Sequence, residues 1–185
     1  MANLQTIGTP YVWPYPIVTR IHEPGQKPTR ERVLQCLLEI NTNAVSVITS
    51  TLGAPGFGLL GLTTTGAEYL MLTGLAWHRP AQPAAAPTVA HDATQFIIAE
   101  ANRVWTGEWI QYNMMLQVDT VLRNQLLAAA DDMYYCSLFQ PVVGYGRRTA
   151  LDLLTHLQTH YAEFDEATKA TVQTQMAAPW SGGPF

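Results

Sequence analysis

Charge is what this chain has least of. Asp, Glu, Lys and Arg make up 13% of its 185 residues, about half the roughly 25% of an ordinary soluble domain. So sparsely charged a surface must present apolar or small polar groups, and extended apolar exposure marks a partner site. Cysteine is nearly absent too. Cys36 and Cys136 have no second cysteine near either, which excludes a local CxxC zinc site or knuckle. Both lie among apolar neighbours, and the sequence predicts two buried thiols in a reducing compartment, a single disulfide between them being the alternative. No apolar stretch approaches the ~20 residues of a membrane span. No basic region leads into an apolar run at the N-terminus, so no signal peptide is expected. The expectation is a cytoplasmic protein with no membrane partner.

Catalytic signatures are missing as well. There is no GxSxG, no phosphate-cradling GxxxxGK[ST] and no dinucleotide fingerprint. The glycine-rich GAPGFGLLG follows a predicted helix, not a strand, which argues against a phosphate loop. Basic stripes are missing: residues 1–90 sum to +1 and residues 91–185 to −5. Nothing resembles the lysine and arginine patch that neutralises nucleic-acid phosphates. RNA contact is expected only indirectly or through segments absent here. The reading is of a non-enzyme without cofactors.

What is present is apolar mass, 48% of residues. At this size folding hides about 70% of the unfolded surface. Proline divides the chain. Nine of twelve prolines precede residue 88, and from Ala90 to Gln140 there is one glycine and no proline. Four parts follow: an extended arm over 1–27, a helical subdomain over 28–78, a Pro/Ala linker over 79–90, and a second helical subdomain over 91–185. In the arm, Pro10, Pro14 and Pro16 each delete a backbone donor and force extended geometry. The arm is nevertheless rich in Tyr11, Trp13, Tyr15, Ile17 and Val18, residues that disordered tails lack. It is expected to dock, on its own body or on a neighbour.

Thr29 is the expected N-cap of a first helix ending near Ser50. Its buried stripe is Val33, Leu37, Ile40, Ala44, Val47 and Ile48. Leu59–Thr64 is a β-leaning run or an irregular loop. Thr65 and Glu68 form a capping box for a short helix that Gly74 ends. From Asp92 to about Asp131 the pattern is helical, with Ile98, Ala101, Trp105, Trp109, Tyr112, Leu116, Leu122, Leu126 and Ala129 on one side. Forty helical residues would extend ~60 Å, against a compact diameter of roughly 40 Å, so a bend or break is expected at Gly107. Further helices are expected over Met133–Gln140, from a Thr149 cap to about Ala162, and from an Asp165 cap to about Ala177.

One constellation has metal-ligand spacing. Asp152, His156, His160 and Glu163 share a helical face, and imidazoles one turn apart can chelate zinc. His156 and His160 are thus the candidate metal ligands. The simpler reading is the solvated face of an amphipathic helix, because no general base stands where HExxH would place one. Arg147 and Arg148 form a lone basic pair, either solvated or aimed at an acidic neighbour.

The order of segments carries a resemblance. YVWPYPIVTRI is followed by LEINTNAVSV, GAEYLMLTG, a proline-flanked linker, LRNQLLAAADDMYYCSL, VVGYGRRTALDLLTHLQTHYAEF and QMAAPW. From about Tyr11 to Trp180 this resembles the Gag-like capsid proteins of copia-type LTR retrotransposons, a group common in algal genomes. The resemblance implies a mainly α, multi-helix capsid-like bundle with an extended Pro/aromatic-rich N-terminal arm and at most a small β element. It implies self-association into a shell that encloses element RNA. The chain departs from that family in having neither zinc knuckle nor basic tail. Expected interface residues are Tyr11, Trp13, Tyr15, Ile17, Arg147, Arg148 and Trp180. The alternatives are a domesticated helical adaptor that forms no shell, and a metal-dependent enzyme using His156 and His160.

Overall fold

Four threonines, Thr29, Thr65, Thr94 and Thr149, set the α-helix starts among the described residues. The computed structural model describes residues 12–49, 51–88, 90 and 92–162, and its first helix, α1 (Arg30–Ser46), begins where the Thr29 hydroxyl accepts from the Arg32 amide. Helix α2 (Gly66–Thr73) opens with a complete capping box between Thr65 and Glu68, and Gly74 closes it in the left-handed region at φ 72°. Helix α4 (Ala150–Leu157) opens with a second box between Thr149 and Asp152 and continues as a wider π-turn, Gln158–Ala162. Each box meets two of the amide donors that a helix start leaves unpaired. The fold is mainly α. Among the described residues there is no strand, only one antiparallel bridge between Gln140 and Gly144.

Helix α3 (Gln95–Ala129) runs 35 residues from its Thr94 cap, about 52 Å at 1.5 Å per residue. It passes through Gly107 without interruption, so the expected break is not there. A mid-helix glycine costs about 1 kcal/mol. The Trp105–Trp109 ring contact spans this point and offsets that weakness.

One main core joins residues of both expected helical subdomains. Met115, Val118, Leu122 and Leu126 of α3 meet Val33, Cys36, Ile40 and Ala44 of α1 and Leu153, Leu154 and Leu157 of α4. Val18 and Ile21 of the arm complete it. Each such Val, Leu or Ile contributes about 1.5–3 kcal/mol on burial. Tyr135 is fully buried, and its hydroxyl donates to the Leu126 carbonyl at 2.9 Å. A small second core holds Ala54, Leu60 and Tyr69, where the Ala54 amide donates to the Tyr69 hydroxyl at 2.6 Å.

Several local expectations change. Helix α1 stops at Ser46 because the chain returns beneath its end. The Leu59 amide donates to the Ala44 carbonyl at 2.9 Å, and Gly58, at φ +49°, lies so close that a Cβ would sit 2.4 Å from the Val45 oxygen. Only glycine fits there. Ile48 therefore falls outside the helix and is 94% exposed. Leu59–Thr64 is neither strand nor loose loop but a 3₁₀ turn, Leu60–Leu62. Met133–Gln140 is two 3₁₀ turns, Asp132–Tyr134 and Cys136–Leu138, in place of one helix. Cys136 is exposed there, whereas Cys36 is buried and both are free. Burial, then the nearby Glu39 carboxylate, pushes the Cys36 thiol up to about 12. The helix expected after Asp165 lies outside the described residues.

Candidate functional site: the arm, the strap and the uncovered faces

The arm docks on its own chain, in the seam between α1 and α3. Its extended backbone has few partners of its own, so buried polar side chains supply them. The Asn43 amide group receives the Tyr15 amide (2.9 Å) and donates to the Tyr15 carbonyl (2.7 Å) and to Gln125 Oε1 (3.0 Å). Glu39 accepts from the Thr19 amide and hydroxyl at 2.6 and 2.8 Å and from Gln35 at 2.8 Å. Burial alone would push the Glu39 carboxyl up, but these hydrogen bonds outweigh it and hold it below its ordinary range. At the end of α3 the Ile21 amide donates to the Ala129 carbonyl, and the Asp131 amide donates to Nε2 of buried His22. Arg20 pairs with Asp131 at 2.6 Å.

These contacts place the expected interface residues. Trp13 is half-buried against the core. Tyr15 is 36% exposed, Ile17 is 88% exposed and Val12 is 93% exposed. Trp13, Ile17, Val121 and Ala128 line an apolar groove of about 470 Å³ between arm and α3. Arg147 is exposed, while the Arg148 guanidinium is turned inward and donates to the Leu138 carbonyl at 3.1 Å. Tyr11 and Trp180 lie outside the described residues.

The linker, residues 79–88, is a strap along α3. Arg79 pairs at 2.9 Å with Asp119, which is itself buried and accepts from the Ala150 amide at 3.0 Å. One carboxylate thus ties strap, α3 and the start of α4 together. Trp105 Nε1 donates to the Ala84 carbonyl at 2.9 Å. Before the strap, Trp77 packs over Gly61 so closely that a Cβ there would meet its ring at 2.1 Å.

Among the described residues two faces stay uncovered. Helix α2 buries Tyr69 alone, leaving Leu70, Met71, Leu72 and Leu75 half to four-fifths exposed. In α3 no residue before Met115 is buried, and Phe96, Ile97, Val104 and Ile110 are 43–77% exposed.

The histidine constellation divides. Asp152 is consumed by its capping box. His156 Nε2 lies 2.8 Å from the Tyr134 carbonyl, and its ring centroid is 4.4 Å from that of His160. Burial, then the neighbouring His160, lowers the His156 pKa against the opposing Tyr134 hydrogen bond. Glu163 lies outside the described residues. Among those residues no group of three His, Cys, Asp or Glu converges as a metal shell would require, and no helix is long and apolar enough to cross a membrane.

Comparison with protein families, with curated proteins and with solved structures finds no match.

Sequence reasoning missed Glu39, Asn43, Asp119 and His22, the four buried polar side chains that hold arm and strap. A signal existed for three. With Cys36 and Ile40, Glu39 and Asn43 continue the 3–4 spacing of the buried α1 stripe. Asp119 likewise continues the spacing of the buried α3 stripe between Met115 and Leu122, but its partners, 31 and 40 residues away, are not legible in it.

Proposed function

We propose that this chain is a structural, self-associating protein of Gag-like capsid type, whose uncovered helix faces are completed by other copies of itself. The observation that carries the reading is the run Leu70-Met71-Leu72, three consecutive apolar residues exposed on one short helix. Scattered exposed leucines are ordinary. A consecutive exposed run is an error in a monomer unless it has a use. An eight-residue helix is also too short to be stable on its own, and α2 is attached through one buried tyrosine. The outer half of α3 adds a second apolar face. Low charge lets such faces meet without like-charge repulsion or costly desolvation. Closed assemblies follow when such contacts repeat by rotation. RNA would be enclosed through segments other than those described here.

Size-exclusion chromatography with negative-stain imaging tests this. Uniform particles are expected. Met71→Asp is expected to abolish them while changing chain stability by no more than ~0.5 kcal/mol, as surface substitutions do. A wild-type chain that stays monomeric, or forms only a one-to-one complex with a different protein, overturns the shell reading in favour of the adaptor. Stoichiometric metal in the purified protein, lost with His156→Ala and His160→Ala together, would favour the metal-dependent alternative.

A further inference from the structure

Two polar contacts hold the strap. The Arg79 guanidinium pairs with Asp119 at 2.9 Å, and the Trp105 indole donates to the Ala84 carbonyl at 2.9 Å. Among the described residues no backbone–backbone hydrogen bond ties 79–88 to the rest of the chain. The strap has no regular secondary structure and carries Pro80, Pro83 and Pro87. Prolines keep a strand extended and lessen the freedom it gains on release. The strap can therefore leave and return as a stiff piece.

Both contacts lie on one side of α3. Trp105 and Asp119 are fourteen residues apart, which brings the helix back to nearly the same side after about 21 Å. Trp109, Tyr112 and Leu116 fall between them on that side. Six extended residues, 79–84, cover about 16 Å, and the Arg79 side chain reaches the rest. The strap thus runs along the stripe that carries Trp109. Along it the rings of Trp105, Trp109 and Tyr112 stand edge to face, with centroids 6.2 and 5.9 Å apart. The strap does not fill the space beside them. A groove of about 480 Å³ opens between Pro80, Gln82 and Pro83 and the α3 residues Glu108 and Gln111.

The closed position carries a cost of its own. Trp109 Nε1 is buried and has no acceptor among the described residues. A buried donor left unpaired costs about as much as a hydrogen bond such as that from Trp105 to Ala84 contributes. Opening gives that N–H to water. The loss at the other contact is modest. Asp119 Oδ1 keeps the Ala150 amide at 3.0 Å while water replaces Arg79, whose side chain is already 38% exposed. Closed and open positions are therefore close in free energy. We propose that the 79–88 strap is a latch that opens while the rest of the fold stays intact, and that the Trp109 N–H beneath it keeps it from closing firmly. Closed, it withholds the Trp105–Trp109–Tyr112 stripe. Open, it adds that stripe to the apolar face that α3 already shows at Ile97, Val104 and Ile110. The latch rests on the strap's own contacts, not on what meets that face.

Hydrogen exchange of the two indole N–H groups, read by NMR on the ¹⁵N-labelled full-length chain, tests this. Met71→Asp is carried throughout so that association does not obscure the signals. The Trp105 and Trp109 indoles are expected to open together, at least a hundredfold more often than the Leu122 amide of the buried half, which opens only with the whole fold. Arg79→Ala should speed both indoles about tenfold. Two substitutions that each keep a ring and remove a donor should act in opposite directions. Trp105→Phe takes away a tie and should speed exchange at Trp109 about fivefold, whereas Trp109→Phe takes away the unpaired donor and should slow exchange at Trp105 about tenfold. Circular dichroism checks that each variant folds, and Arg79→Ala keeps the test open if a ring substitution does not. Indoles as protected as the Leu122 amide would overturn the latch, since the strap would then open only on unfolding. So would Arg79→Ala moving one indole without the other. Exchange at Trp105 that is unchanged or faster in Trp109→Phe would overturn the role given to the unpaired donor.

Discussion

The two halves of α3 are one unbroken helix with two different lives. Its C-terminal half buries Met115, Val118, Asp119, Leu122, Leu126 and Ala129 between α1, α4 and the arm, while its N-terminal half buries nothing fully. Both halves are rich in large apolar residues. What differs is the neighbour. Helices α1 and α4 return to the inner half from distant points in the chain, but among the described residues only an extended strap comes back to the outer half. An apolar face on a helix therefore identifies something to be covered, not what covers it. The same contrast separates α4, with three fully buried leucines, from α2, with its single buried tyrosine.

The sharpest way to break this comparison is to remove equal apolar volume from each half. Leu126→Ala is expected to cost about 2–5 kcal/mol in urea unfolding, the range for a buried leucine whose cavity relaxes only partly. Val104→Ala on the outer half should stay within ~0.5 kcal/mol. Similar losses at the two sites would contradict the division.

The arm belongs with the inner half, and Asn43 is where that can be tested. Asn43→Ala removes its two hydrogen bonds to the Tyr15 backbone and leaves Gln125 Nε2 alone on that carbonyl. A loss of about 1–3 kcal/mol is expected, with faster proteolysis within residues 12–28. Unchanged cleavage there would show that the arm is held by apolar contacts alone.

Smaller effects come from two titrating groups with opposite histories. Glu39 is held below its ordinary value of 4.5, so its folded state binds a proton less readily than the unfolded chain. Its contribution is full above pH 4.5 and is lost as pH falls through its lower folded value. His156 is lowered from 6.5, so the unfolded chain again takes the proton first. Stability is full above that value and declines as pH falls through 6.5 toward the folded value. Urea midpoints measured from pH 8 to pH 2 should show both declines. Glu39→Gln should flatten the lower one, and His156→Gln, which keeps a donor for the Tyr134 carbonyl, the upper one. A curve unaltered by His156→Gln would place that histidine in solvent.

Much of this fold is legible in the residue order. Thr29, Thr65 with Glu68, and Thr149 with Asp152 mark helix starts because capping is a local matter of a few atoms. Prolines before residue 88 mark the extended arm and the strap for the same reason. The rest depends on contacts distant in sequence. Gly107 reads as a break, yet the aromatic side chains around it carry the helix across. Asp119 sits on the buried stripe of α3, yet nothing in its spacing tells that Arg79 and the start of α4 close over it. Cys136 reads as buried from its apolar neighbours, yet the 3₁₀ turn directs it outward. The uncovered faces follow the same rule, since no periodicity reveals that a helix lacks a partner. Of the expected interface residues, Ile17 and Arg147 stand outward, while Arg148 is turned into the loop that precedes α4.

Sedimentation velocity of the purified full-length chain, over a hundredfold concentration range and at low and high salt, tests self-association most directly. The account predicts a discrete species many times the 20.4 kDa chain mass, growing with concentration and surviving salt because apolar faces hold it together. A single 20.4 kDa species at every concentration and salt would contradict it.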